Sequence, residues 1–320
     1  MISNSVSNKN WVFRKYNEQD LLFYKENYSL DEITSKLLSI RNIKKEDVQA
    51  FLSPSIKNFL PNPEIINDMQ KSTKRTANAI SQNHKIGIFG DYDVDGASAT
   101  ALLANFFNSI NVPYEIYIPD RKKEGYGPSA ESFKKLIDNG AKLIITVDCG
   151  TLSFKAIEYA SNNKTDVIVL DHHQSEINLP KAYSVVNPNR LDDKSKLNYL
   201  CAAGVTFMFL IALNKELRST NWFFKTKVIE PNLLEYLDLV ALGTVCDVVP
   251  LVGLNRAIVS QGLKILNSKK NLGLKTLFDI CDIRTKPNVY HIGYQLGPRI
   301  NAGGRVGKSS HGANLLISNN

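Results

Sequence analysis

The chain has 320 residues, of which 43% are hydrophobic, and it carries a formal net charge of +8 at pH 7. This length predicts about two domains with a substantial core. No stretch approaches about 18 consecutive apolar residues, and the first residues lack the apolar core of a signal peptide, so neither a membrane span nor a secretory leader is predicted.

A short helical leader is predicted over residues 1–84. Residues 1–10 are polar and are expected to be loose, and helices are predicted at residues 30–40, 45–51 and 65–82. Either Ser29 or Asp31 is placed to cap the first of these helices. Three prolines, Pro54, Pro61 and Pro63, interrupt the path between the others.

Apolar strands alternate with helical segments over residues 85–190. The predicted strands are residues 85–89, 114–118, 142–147, 167–170 and 184–186. This alternation is typical of an α/β fold with a parallel five-stranded sheet and helices on both faces.

Three alternating aspartates, Asp91, Asp93 and Asp95, follow the first strand directly. Two carboxylates about 4 Å apart repel by roughly 4 kcal/mol at an effective dielectric of about 20. Three of them therefore require protons, hydrogen-bond donors or a cation, and clustered carboxylate oxygens suit a hard divalent cation. A nucleotide-cradling turn would carry glycines at these positions, so that kind of site is not favoured.

Other acidic or imidazole groups also follow apolar runs. Asp148 ends the strand at 142–147, and Asp171, His172 and His173 end the strand at 167–170. Asp247 follows the apolar stretch 239–246 in a predicted helical region, residues 191–320, whose helices are residues 200–217, 233–244, 256–267 and 272–280. An aspartate after a strand is often only the cap of the next helix. Ligands, however, bind at the carboxyl ends of such strands, so several acids there predict a shared site.

The net charge allows a polyanionic partner without requiring one, because a solvated surface explains most of the scattered lysine pairs. The four cysteines are scattered without a CxxC pair or a disulfide pattern. Reduced thiols in the cytoplasm are therefore predicted.

Five motifs, in a fixed order, carry a family resemblance. They are Asp91-Tyr-Asp93-Val-Asp95-Gly, Thr146-Val-Asp148-Cys-Gly, Asp171-His172-His173, Gly243-Thr-Val-Cys-Asp247-Val-Val-Pro-Leu and Gly297-Pro-Arg299-Ile-Asn301-Ala-Gly-Gly-Arg305. With them the chain resembles the DHH phosphoesterase superfamily and, within it, the RecJ-type single-strand-specific 5′→3′ DNA exonucleases. The resemblance runs from about Trp11 to the last residue.

The resemblance implies two divalent ions, Mn²⁺ or Mg²⁺, bridged by Asp148. Asp93 would bind one ion, and Asp95, His172 and Asp247 would bind the other. Asp91 would be a direct ligand or an outer-shell base. Some relatives carry a histidine at that position, so this chain departs from their pattern there.

Further roles concern the substrate. His173 would face the scissile phosphate, either as a donor to its oxygen or as a general acid for the leaving 3′-oxygen. Asp171 would orient one of the imidazoles or be structural. Arg121, Arg299 and Arg305 are candidates for gripping phosphates, with Asn301 as a neutral donor. The alternatives are a solvated turn for Arg121, and helix capping or ion pairing for Arg299 and Arg305.

Four glycines in these motifs, Gly125, Gly127, Gly303 and Gly304, are interpreted as turn residues.

The function implied by the resemblance is metal-dependent hydrolysis of phosphodiester bonds in single-stranded DNA, in DNA repair and recombination, with a single-strand-binding protein as a candidate partner. Two alternatives stay open: a phosphoesterase for short oligonucleotides or cyclic dinucleotides, and a non-catalytic scaffold. The scaffold relatives have lost metal ligands that this chain retains.

Members of the exonuclease group continue into a DHH-associated domain and an oligonucleotide-binding (OB) barrel, which these 320 residues lack. We therefore expect a fragment or a truncated product that folds and binds metal but has weak or lost nuclease activity. The preferred ion and the oligomeric state stay open.

Overall fold

The computed structural model describes residues 5–318, and expectations for residues 1–4 and 319–320 lie outside the described part. The chain divides into two compact units between Asn58 and Phe59. Residues 59–84 of the predicted leader therefore belong to the same unit as the sheet. The domain boundaries at residues 84 and 190 stay a prediction.

The first unit is helical and small. Its elements are α1 (Glu18–Tyr28), α2 (Glu32–Ile40), a 3₁₀ turn (Lys45–Asp47), α3 (Val48–Leu52) and the start of α4 (Ile56–Phe59). Asp31, one of the two predicted caps, accepts a hydrogen bond from the Thr34 amide at 2.9 Å. Tyr24 on α1 packs with Leu38 and Val48 in a small core. Helix α1 was not predicted, because four of its apolar residues, 21–24, are consecutive and give only a weak amphipathic pattern.

The second unit is built on a parallel five-stranded sheet, as predicted. The strands are β1 (Ile86–Gly90), β2 (Tyr114–Tyr117), β3 (Leu143–Val147), β4 (Asp166–Leu170) and β5 (Ser184–Val186), in the order β2-β1-β3-β4-β5. The register aligns Ile88 with Ile145, and Ile145 with Ile168. Strands β1 and β3 are buried along their whole length, which explains their uninterrupted apolar sequences.

Helices cover both faces of this sheet. Helices α5 (Met69–Ser81), α6 (Val94–Ser109) and α9 (Ala202–Ser219) pack on one face, and α7 (Ala130–Asp138) and α8 (Phe154–Asn162) pack on the other. Phe89, Ile144 and Val169 point toward α7 and α8, where they meet Phe133 and Ile157. Side chains alternate along a strand, so Ile88, Ile145 and Ile168 face the opposite layer. The predicted α/β class is thus confirmed.

The rest of the unit is helical, as predicted. Its elements are α10 (Trp222–Thr226), α11 (Leu237–Cys246), α12 (Gly253–Asn267), α13 (Leu272–Ile280), a π-helical segment (His291–Leu296), α14 (Gly297–Val306) and α15 (His311–Ile317), with 3₁₀ turns at Pro63–Ile65 and Leu233–Tyr236. Helix α11 packs against α6, α9 and α12.

Helix α14 is the main departure from the expected secondary structure. Gly303 and Gly304, interpreted as turn residues, lie inside it. A Cβ on Gly304 would lie 3.1 Å from the Tyr92 carbonyl oxygen, so the absence of a side chain lets α14 pack closely on the aspartate triplet. By contrast, Gly125 and Gly127 do occupy turns with φ of +83° and +78°.

All four cysteines are free thiols, two of them buried. Within residues 5–318, no helix combines the length and apolar character needed to span a bilayer.

Candidate metal centre

Three neighbouring strands deliver the site residues to one edge of the sheet. Strands β1, β3 and β4 lie side by side and end in register, and the loops after them carry Asp91, Asp148 and Asp171. Asp148 has a left-handed backbone with φ of +62°, which is uncommon for a residue other than glycine. Such conformations concentrate at functional sites.

His172 lies at the middle of the cluster. Its Nε2 is 3.2 Å from Asp148 Oδ1 and 3.8 Å from Asp95 Oδ2. Its Nδ1 is 3.6 Å from Asp247 Oδ2 at the end of α11. One imidazole is thus surrounded by carboxylates from three separate segments of the chain.

The ligand atoms form overlapping groups in which all atoms lie within 4.8 Å of one another. One group is Asp91, Asp93 and Asp148, a second is Asp95, His172 and Asp247, and a third is Asp148, His172 and His173. The structure therefore brings all six predicted metal ligands together, and Asp148 and His172 link the groups.

The electrostatics of this cluster fit a bound cation. Burial, followed by the charge of neighbouring aspartates, raises the pKa of Asp91 to about 7 and that of Asp247 to about 7. The same causes raise the pKa of Asp148 well above its ordinary value. Within the described residues, Oδ1 of Asp91 and Oδ1 of Asp148 are buried without a hydrogen-bond partner. Unpaired buried acceptors are costly, and a cation bound between them would remove that cost. Carboxylates with one imidazole suit Mn²⁺ or Mg²⁺.

Asp95 is held by the first turn of α9. The amides of Ala202 and Ala203 donate to its two carboxylate oxygens at 2.6 and 2.9 Å. The positive end of the helix dipole favours this carboxylate. Gly243 on α11 permits the arrangement, because a Cβ there would lie 2.5 Å from Asp95 Oδ1 and 2.7 Å from the Ala203 Cβ.

Asp93 also caps a helix. Its Oδ1 accepts a hydrogen bond from the Gly96 amide at 2.9 Å, at the start of α6. Asp93 is therefore both the cap of helix α6 and a member of the ligand cluster.

Asp171 lies against His173. Its Oδ1 is 2.8 Å from His173 Nδ1 and accepts the His172 amide at 2.8 Å, while Oδ2 accepts the Thr151 amide at 3.0 Å. Burial would raise the pKa of Asp171, but the hydrogen bonds and charge of His173 and the bonds from Thr151 hold it below its ordinary value. The hydrogen bond to Asp171 in turn raises the pKa of His173, which is half exposed.

Three supporting residues were missed by the sequence reasoning. The Tyr126 hydroxyl donates to the Asp148 carbonyl at 3.1 Å. The side-chain amide of Asn187 donates to the His173 carbonyl at 2.9 Å, and that of Asn189 donates to the His172 carbonyl. Both asparagines follow β5 at the same edge of the sheet as the aspartates. Their position after a strand could have indicated a role at the site, although the sequence of this segment is typical of a simple turn.

The four candidate phosphate-binding residues lie in three different places. The Arg121 guanidinium lies 5.0 Å from the ring centroid of Tyr92. Tyr92 is the residue between Asp91 and Asp93 in the sequence. Asn301 and Arg305 line a cleft of about 290 Å³ beside Val94. Arg299 donates to the Gln295 carbonyl at 2.8 Å and does not line that cleft.

Comparisons with known proteins place these motifs in a family. The profile of the DHH family, N-terminal domain, matches residues 85–244. The single-stranded-DNA-specific exonuclease RecJ of Escherichia coli K12 is 38% identical over 274 residues, which cover 84% of this chain and 47% of the relative. The protein of the same description from Bacillus subtilis 168 is 33% identical over 98% of this chain and 38% of the relative. The chain thus spans about half the length, or less, of the curated relatives it matches.

Solved structures of RecJ are also similar to this chain. A crystal structure of exonuclease RecJ bound to manganese is 31% identical with a TM-score of 0.69, over 81% of this chain and 62% of that one. RecJ of Thermus thermophilus in complex with Mn²⁺ is 26% identical with a TM-score of 0.77, over 96% of this chain and 42% of that one.

Proposed function

Because this chain belongs to the DHH family and resembles single-stranded-DNA-specific exonucleases, we propose that it is a metal-dependent phosphodiesterase that hydrolyses single-stranded DNA in the 5′→3′ direction. The observation that carries the proposal is the convergence of six carboxylate and imidazole ligands at one edge of the sheet. We place the activity in DNA repair and recombination in the cytoplasm, with single-stranded DNA as the substrate and a single-strand-binding protein as a candidate partner.

The ligand groups suggest two sites for divalent ions. Asp91, Asp93 and Asp148 would hold one ion, and Asp95, His172 and Asp247 would hold the other. Asp148 would be shared by both sites, since its Oδ1 also lies 3.2 Å from His172 Nε2. Mn²⁺ and Mg²⁺ are the candidates, since similar RecJ structures contain Mn²⁺ and the carboxylate-rich set suits both. Two such ions stabilise the charge on the entering and leaving oxygens of a phosphoryl displacement.

His173 is the proposed general acid. Asp171 occupies its Nδ1, so Nε2 is the nitrogen that can give a proton to the leaving 3′-oxygen as the bond from phosphorus to that oxygen breaks. The raised pKa of His173 favours the protonated form that this role needs.

Two groups of residues would hold the DNA backbone. Arg121 lies over Tyr92 next to the ligand triplet, and Arg299, Asn301 and Arg305 all lie on α14. One guanidinium group can bind two oxygens of a phosphate at once, so these positions suit successive phosphates of an extended DNA strand.

The test is digestion of 5′-labelled single strands and duplexes with and without Mn²⁺, alongside short dinucleotides. We expect weak metal-dependent release of mononucleotides from single strands, and its loss in Asp148→Asn. The exposed Asp138, which pairs with Lys134 on the surface of α7, provides the matched control Asp138→Asn. Faster hydrolysis of dinucleotides than of long strands would favour the small-substrate alternative. Metal binding without hydrolysis of any substrate would contradict the proposal.

A further inference from the structure

One buried carboxylate lies outside the metal centre. Five acidic side chains are buried within residues 5–318, and four of them belong to that centre: Asp91, Asp95, Asp148 and Asp171. The fifth is Asp238, which is 4% exposed and lies in the first turn of α11. Asp247 follows the opposite end of this helix, so at about 1.5 Å per residue the two side chains are roughly 14 Å apart along the helix axis.

Asp238 has no charged partner. Its Oδ1 accepts a hydrogen bond from the amide of the next residue, Leu239, at 2.8 Å. Among the described residues, no side chain donates a hydrogen bond to this carboxylate and no basic group pairs with it. Burial raises the pKa of Asp238 to about 6, so the group is ionised at pH 8. A buried charge without a partner is costly, and a bound cation would remove that cost.

This carboxylate lines a cavity of about 430 Å³ between the last turns of α6 and the start of α11. The volume lies in the range of about 300–1,000 Å³ that is usual for small-molecule sites. Within the part of the chain that the structure describes, Asp238 belongs to none of the side-chain groups that could hold a metal ion. The cavity therefore fits a small organic ligand better than a bare metal ion.

The charges around the cavity favour a cation. Its lining contains two acidic side chains, Asp238 and Glu235, against one basic side chain, Lys270. Asn105 and Asn108 also line it and lie in the last two turns of α6, where the helix dipole is negative. The amino end of α11 has the opposite sign, but Asp238 itself lies against it. A phosphate or another anion is therefore not favoured here.

A second carboxylate lies at the mouth of the cavity. The Glu235 side chain is 50% exposed, and its Oε1 lies 3.1 Å from Nζ of the equally exposed Lys270. An exposed ion pair of this kind contributes little to stability, so a ligand ammonium group can replace Lys270 there. Tyr236 and Leu239 also line the cavity and offer apolar surface to an aliphatic chain.

We propose that this cavity binds a small aliphatic amine, with one ammonium group paired to Asp238 and the chain directed toward Glu235. A short diamine is the class of ligand that meets both carboxylates. The inference is independent of the proposed function, because none of the lining residues belongs to the metal centre.

Calorimetric titration at pH 8 tests the site. The probes are 1,4-diaminobutane and 1,4-butanediol, which has the same chain without the charges. Saturating Mg²⁺ is present so that the carboxylates of the metal centre are occupied. We expect the diamine to bind and the diol to bind about tenfold more weakly or not at all, because charge-assisted hydrogen bonds are the stronger ones.

The variant Asp238→Asn should weaken diamine binding by about tenfold or more. The substitution removes an unpaired buried charge, so the variant should fold with a urea midpoint at pH 8 no lower than that of the wild type. The matched control is Asp138→Asn, the same chemical change in an exposed side chain of α7. The control should bind the diamine like the wild type.

Three results would overturn the proposal. One is equal diamine affinity in the wild type and Asp238→Asn, and another is equal affinity of the wild type for the diamine and the diol. The third is a diamine affinity that falls as Mg²⁺ is raised at constant ionic strength, since this would place the amine at the metal centre. An absence of DNA hydrolysis would contradict the proposed function and leave this site unaffected.

Discussion

A substitution at Gly243 tests whether the metal site depends on close helix packing as well as on its ligands. A Cβ at this position of α11 would lie 2.5 Å from Asp95 Oδ1 and 2.7 Å from the Ala203 Cβ. Both neighbours are fixed, because Asp95 is bound by two amides of α9 and Ala203 is in the first turn of that helix. Gly243→Ala must therefore displace Asp95, α9 or α11.

The expected magnitude has two opposing parts. Alanine is favoured over glycine in a helix by about 1 kcal/mol. Overpacking a buried site costs about 1–3 kcal/mol, and contacts this short at rigid neighbours belong at the upper end. We therefore expect a net loss of about 2 kcal/mol in the free energy of unfolding, together with weaker Mn²⁺ binding because Asp95 moves.

The assay is urea denaturation of the metal-free protein, followed by calorimetric titration with Mn²⁺. Gly293→Ala is the matched control, since its added Cβ would meet nothing closer than Val245 Cγ1 at 3.5 Å. The control should be as stable as the wild type or more so, with unchanged metal affinity. If Gly243→Ala behaved like this control, the packing argument would be refuted.

Two further predictions concern titration and catalysis. Burial raises the pKa of Asp238 to about 6 from 3.8, so its neutral form is favoured by folding; the associated stability is present below about pH 4 and is lost as the pH rises through 6. Asp238→Asn should therefore raise the free energy of unfolding by about 3 kcal/mol at pH 8 and leave it unchanged at pH 3. If the wild type and the variant had equal denaturation midpoints at both pH values, this prediction would be contradicted. Separately, His173→Gln should lower kcat by about 10²–10⁴ while Mn²⁺ affinity stays near that of the wild type. His172→Gln should lose metal binding, and identical metal affinities in the two variants would argue against the division of roles.

The sheet could be predicted from the sequence because its signals are local. Strands such as Ile86–Gly90 and Leu143–Val147 are continuous apolar runs that end at polar turns. Helices α1 and α14 lack such signals. Asn17 caps α1, but the apolar residues of that helix form only a weak amphipathic pattern. Pro298, Gly303 and Gly304 lie in α14 although proline and glycine are typical of loops. Pro298 is tolerated because it lies in the first turn of the helix.

The chemistry of the site could also be predicted, but its support could not. Five of the six proposed ligands follow strands β1, β3 and β4, and parallel strands end at the same edge of the sheet, whereas Asp247 follows helix α11. In each of the supporting contacts one partner is a backbone group of a distant segment: the amides of Ala202 and Ala203 hold Asp95, and the Tyr126 hydroxyl donates to the Asp148 carbonyl. Almost any residue can provide a backbone group, so the sequence does not show which segments meet.

The proposed pair of ion sites can be measured by calorimetric titration of Mn²⁺ into the wild type and Asp148→Ala. We expect two ions bound per wild-type chain and neither bound tightly by the variant, because Asp148 belongs to both proposed sites. Two ions held by Asp148→Ala with wild-type affinity would contradict it.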